Sequence, residues 1–88
     1  MGRPPLQHYV TPPRELKAFP TARRVRPKAL GRRRRMRWVD DDTGNLLEWD
    51  YQHGRVEMFS SRGNHIGEFD PESGEQTKPA DKNRTIEP

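Results

Sequence analysis

The chain has 88 residues, 28% of them hydrophobic, no cysteine, and a net charge of +4 at neutral pH. That length supports one small domain, and a hydrophobic fraction that stays below the usual ~45–50%, a figure counted with glycine, even when the 7 glycines are added leaves a thin core and excludes a large enclosed active site. Without cysteine there is no disulfide scaffold and no thiolate metal site, and with neither a run of ~18 apolar residues nor an apolar stretch behind Met1 the sequence predicts no membrane span and no secretory signal.

Charge is divided along the chain. Residues 1 to 39 carry 12 Lys or Arg against the single acid Glu15, whereas residues 40 to 88 carry 5 basic and 12 acidic residues. Two different jobs are implied. Six of the nine prolines lie in the basic half, spaced so that no helix of ordinary length fits across most of it. Residues 1–31 therefore read as an extended, proline-rich basic arm with at most a short helix, one turn around Pro13 to Ala18 capped by Thr11.

Residues 32–88 read as a sheet domain. Met36 to Val39 is a first strand, Asp40 to Gly44 a turn, and Asn45 to Gln52 a second strand. His53-Gly54 is a tight two-residue turn, Arg55 to Ser60 a third strand, Arg62-Gly63-Asn64 a turn, and His65 to Phe69 a fourth strand closed by Asp70 to Gly74. A short fifth strand covers Glu75 to Lys78. The fold class predicted is mainly β, a small α+β at most: a highly twisted antiparallel sheet of four to five short strands behind the arm.

A two-residue turn at His53-Gly54 sets the register of the central hairpin. Gln52 then faces Arg55, Tyr51 faces Val56, Asp50 faces Glu57 and Trp49 faces Met58. The period of two puts Leu47, Trp49, Tyr51, Val56 and Met58 on one face, and Glu48, Asp50, Gln52, Arg55 and Glu57 on the other. Facing carboxylates at Asp50 and Glu57 destabilise a sheet and raise a carboxyl pKa, so a fold that keeps them has a use for them. With His53, the residue type that titrates nearest neutrality, they form a minimal set for moving two protons around a phosphodiester. Arg84 or Arg55 supplies positive charge for the phosphate. The plainer alternative is a turn histidine beside solvated acids.

The run Arg32, Arg33, Arg34, Arg35, followed by Arg37 and Trp38, fits an RNA-binding edge with an aromatic beside it; its alternative is a solvated tail or a targeting signal. His8 and His65 read as surface residues. Three histidines without clustered spacing argue against a metal-dependent nuclease, so the sequence predicts neither a metal nor a cofactor.

Arg35-Met36-Arg37-Trp38, Glu48-Trp49-Asp50-Tyr51-Gln52-His53-Gly54, Gly67 to Gly74 and the Arg84-x-Ile86 ending together resemble the ribosome-inactivating ribonuclease domain of nuclease colicins, also found in pyocins and contact-dependent inhibition toxins. The resemblance covers residues 32 to 86. It implies a metal-independent endonuclease that cuts small-subunit (16S) ribosomal RNA at the decoding A site and halts translation, with Asp50, His53, Glu57 and Arg84 on the family's catalytic positions. It also implies an acidic immunity protein as partner, and delivery into the cytoplasm of a target bacterium as the C-terminal domain of a longer secreted toxin. Arg55 departs from the family, which often carries an acid there, and the basic tail of some relatives is missing. The alternatives are a non-catalytic RNA-binding module, or a ribonuclease of the same fold acting on transfer RNA or on RNA generally.

Overall fold

The computed structural model describes residues 9–27 and 35–88. Six short strands follow one another as an antiparallel meander: β1 Ala22–Val25, β2 Arg37–Asp40, β3 Leu46–Asp50, β4 Arg55–Phe59, β5 His65–Phe69 and β6 Gln76–Lys78. No helix occurs among the described residues, and so none long and apolar enough to cross a membrane. The mainly-β expectation holds, with two corrections at the N-terminal end. The sheet gains a sixth strand, β1, because Pro20 and Pro27 leave six proline-free residues between them, room for a short edge strand. The helical turn expected at Pro13 to Ala18 is instead an isolated reversal in which the Phe19 N–H donates to Leu16 O at 3.0 Å. One helical turn alone cannot offset its nucleation cost, and here the arm is held by the sheet.

Trp38, Leu47, Trp49, Val56 and Met58 make an apolar face, and residues 9–20 cross it as a second layer, inserting Leu16 into the cluster. The Trp49 indole N–H donates to Val10 O at 2.7 Å, and the Val10 N–H donates to Tyr51 O at 2.7 Å. Phe19 meets Phe69 edge-on at 6.2 Å. The arm thus supplies the cover that a half-buried sheet needs, since a one-layer sheet would leave both tryptophans in water.

The turns set the register. Asp40, Asp50 and Asp70 each begin an Asp-x-x-x-Gly reversal whose glycine N–H returns to the aspartate carbonyl at 2.7, 2.9 and 2.9 Å. Each aspartate side chain also accepts backbone N–H groups inside its own turn. The closing glycines have φ of 78, 67 and 79°, a region that costs a residue with a Cβ and not glycine. Residues 51–54 are therefore a four-residue turn, which corrects the two-residue reading of His53-Gly54. Asp50 faces Arg55, Trp49 faces Val56, Glu48 faces Glu57 and Leu47 faces Met58. The register moves by two, an even number, so the sorting of side chains to the two faces survives.

Candidate active site

The face turned away from the arm is charged. Glu48, Glu57 and Glu68 stand directly opposite one another across β3, β4 and β5. Three acids on one rung repel, and each is met by cations. Glu48 holds Arg37 at 2.8 Å; Glu57 lies 3.1 Å from Arg84; Glu68 has Arg55 and Lys78 at 3.9 and 4.0 Å.

Asp50, His53, Glu57 and Arg84 all line one groove of about 780 Å³, within the size range of ligand sites. Asp50 does not face Glu57, as the two-residue turn had it. It lies diagonally from it, a separation of roughly 7–8 Å between backbone positions, which leaves space between the two acids. His53, at the tip of the turn, places Nδ1 2.7 Å from Asp50 Oδ2, and its side chain is 45% exposed. With Nδ1–H donating to the carboxylate, Nε2 is left for the groove. The expected rise of the Asp50 carboxyl is also corrected. Burial pushes it upward, but the hydrogen bonds from the His53 ring and from the N–H groups of Gln52 and His53 outweigh burial and hold it below its ordinary 3.8.

Glu57 has a different anchor. Its Oε1 lies 2.7 Å from His65 Nε2, while His65 Nδ1 accepts the Asp81 N–H at 2.9 Å. An Nδ1 that accepts a backbone N–H carries no proton, so Nε2 is the donor toward Glu57. His65 was expected at the surface and is instead buried. A register shift at Met58/Phe59 explains why: it puts His65 opposite Phe59 on the polar face together with Glu68, although an unbroken period of two would separate them. Arg84 arrives from the C-terminal segment, where Thr85 bridges to Asn64 and the Ile86 N–H donates to Gly63 O at 2.9 Å. Only glycine fits at position 63, because a Cβ there would meet Ile86 O at 2.1 Å.

Of the residues read as meeting RNA or its phosphate, Arg35 lines the groove, and Arg55 is partly exposed between Glu68 and Asp70. Trp38 and Arg37 are placed otherwise than expected. Trp38 is 1% exposed in the core, and Arg37 is buried in its ion pair with Glu48, so neither is presented to a polyanion. The period of two could not reveal this, since it does not say whether both faces of β2 are covered. Arg32, Arg33 and Arg34 lie outside the described residues, as does His8. Lys78 and Lys82, not singled out in the sequence, add positive charge to the groove wall. Asp50, His53 and Glu68 offer possible metal-ligand atoms within 4.8 Å of one another. Arg55 and Lys78 supply cationic charge beside Glu68, 3.9 and 4.0 Å away.

The depressed carboxyls carry a pH prediction. Asp40 is held low first by the Thr21 hydroxyl, and Asp70 first by the Ser73 and Glu72 N–H groups, as Asp50 is by its own turn. Stability from groups whose folded pKa is lowered is fully present above the unfolded value and is lost as pH falls through the folded one. The urea midpoint should therefore hold from neutrality to about pH 4 and fall below it. Asp50→Asn should lower the plateau and make the acid slope shallower; an unchanged slope would remove Asp50 from this account.

Known proteins share the sequence that builds this groove. A family model described as "Cytotoxic" matches residues 10–87. Colicin E3 and cloacin, both of Escherichia coli, are each 44% identical over 61 residues, 68% of this chain and 11% of theirs, and colicin-E6 of the same organism is 43% identical over the same length. The chain thus spans about a ninth of the length of these relatives. With the match running across the covering arm, all six strands and the C-terminal segment that brings Arg84 to Glu57, the chain belongs to the Cytotoxic family of colicin-like toxin domains.

Proposed function

We propose that the chain is a metal-independent endoribonuclease that cuts small-subunit ribosomal RNA at the decoding A site. The observation that carries this reading is the pair of anchored proton-transfer groups on one groove: His53 held by Asp50, and Glu57 held by His65 and Arg84. Membership of the Cytotoxic family supports it.

Glu57 takes the proton of the ribose 2′-OH through Oε2, the oxygen that neither His65 nor Arg84 engages. The 2′-oxygen attacks phosphorus, the bond from phosphorus to the 5′-oxygen breaks, and His53 Nε2 gives its proton to the departing oxygen. Arg84, with Arg35, Lys78 and Lys82 around the groove, stabilises the charge that gathers on the phosphate. The products are a 2′,3′-cyclic phosphate and a 5′-hydroxyl, and DNA, which lacks the nucleophile, is not cut. Phosphate contacts make binding steeply salt-dependent. Specificity for one bond among thousands comes from the shape of the ribosome, since so small a face cannot read a long sequence. The basic half suits an acidic immunity protein that associates fast, and the domain works in the cytoplasm of the target cell as the end of a longer toxin.

Primer extension on small-subunit RNA after incubation with intact ribosomes tests the reading. The expected result is one stop near the 3′ region, unchanged in EDTA. Loss of the stop in chelator ends the metal-free mechanism. Scattered stops or cut transfer RNA identify a ribonuclease of broader specificity, and binding without cleavage identifies a non-catalytic module.

A further inference from the structure

Glu68 has no part in the scheme above, yet it is the most completely buried charged side chain among the described residues, 1% exposed. Its Oε1 accepts the Thr77 hydroxyl at 2.7 Å, while Oε2 is buried without any hydrogen-bond partner. That oxygen lies 3.9 Å from His53 Nδ1, the nitrogen that Asp50 Oδ2 holds at 2.7 Å. Leaving a buried charged oxygen unsatisfied is costly, and Glu68 also faces Glu57 across the strands, so a neutral residue would suit the sheet better. Groups kept at such a cost cluster where they act on a neighbour; two lie within 4.0 Å of this oxygen, the exposed Lys78 ammonium and the His53 ring, and the ring is the one that belongs to the groove's proton-handling pair.

We infer that Glu68 is a positioning residue for His53: its buried carboxylate is the second anion on the Nδ1 edge of the ring, keeping Nε2 turned to the groove and balancing the charge the ring carries while it holds the proton. The inference rests on the proton-transfer role proposed for His53. Asp50 makes the hydrogen bond, and Glu68 acts through the field from the buried side of a half-exposed ring, where solvent screens it only in part. Thr77, Arg55 and Lys78 hold the carboxylate in place from β6 and β4. Around the ring and Glu68 the charged groups are Asp50 on β3, Arg55 and Glu57 on β4, Lys78 on β6, Asp81, Lys82 and Arg84 in the C-terminal segment and Arg35 before β2. Among the described residues Glu68 alone leaves a buried carboxylate oxygen without a hydrogen-bond partner.

The test is Glu68→Gln, which keeps shape and removes charge. Histidine ring titration by NMR on the full chain, without RNA, should show the His53 midpoint displaced to lower pH than in the wild type, with His65 unmoved as the internal control. In ribosome cleavage, the limb of the kcat–pH profile governed by His53 should move to lower pH by the same amount, whichever of the two proton transfers the ring performs. KM should stay within about twofold, because the residue acts on proton transfer and not on uniform binding. Thr77→Val, which frees the carboxylate, should give a smaller shift in the same direction, and decides the matter if Glu68→Gln melts early. An unmoved His53 midpoint in a variant with native melting, or lost activity with an unmoved limb, overturns the inference. A wild-type chain that cuts no RNA would remove the ribonuclease reading and leave the titration result standing, so the two failures are distinguishable.

Discussion

His53→Ala should lower the rate of ribosomal RNA cleavage by about 10²- to 10⁴-fold, the usual contribution of a positioned proton donor or acceptor. RNA binding and the melting temperature should stay near wild type. The separation of effects follows from where the ring sits. At 45% exposed it contributes little to the core, and without it the Asp50 carboxylate still accepts the N–H groups of residues 52 and 53 that hold the turn. Activity on intact ribosomes, a filter-binding assay and a thermal melt on one preparation check all three. Cleavage within tenfold of wild type would sink the mechanism, and lost binding would mean that the ring serves affinity.

Trp49→Ala should cost about 3–5 kcal/mol, the range for emptying a large buried aromatic site, and in so small a domain that is a large part of a total stability of ~5–15 kcal/mol. Trp49 is 2% exposed, touches Trp38 edge-on at 6.4 Å, and ties the arm to the sheet through Val10 O. Trp49→Phe keeps most of the apolar contact and gives up the indole donor, so it should cost only about 1 kcal/mol. Urea midpoints for the pair measure the difference. If the two variants cost the same, the hydrogen bond to the arm carries the stability, and the core contact does not.

How far the candidate site could be read from sequence differs by residue. His53 and Asp50 are three apart in one turn, and their contact is local, so the motif itself revealed it. Glu57 and Arg84 are 27 positions apart in numbering and meet only because the C-terminal segment pairs with the turn between β4 and β5; the family resemblance found that pair, and spacing could not. Glu68 sits in the unbroken register opposite Glu57, and its burial depends on cover from β6 that spacing does not show; His65 was missed for another reason. A shift in the ladder at Met58/Phe59 breaks the alternation from which faces are inferred, and no side-chain pattern in His65 to Phe69 marks where it falls. Asp40, Asp50 and Asp70 each precede a glycine by four residues, and this repeated spacing carries the shared reversal and with it the hairpin register.

Short-range chemistry was decided by the residues themselves: the meander, the order of its strands, the alternation of apolar and polar faces, and the imidazole with its carboxylate in a single turn. These depend on neighbours a few positions apart, where steric preference and side-chain hydrogen bonds to the backbone act alone. Only the folded arrangement decided that the arm covers the apolar face and lends it an edge strand, that Trp38 is core, that three glutamates share one rung, and that an arginine from the end of the chain reaches the second of them. Each of those contacts closes a long loop between distant segments, and such closures are settled by the total packing and charge compensation of the fold, which no local pattern records.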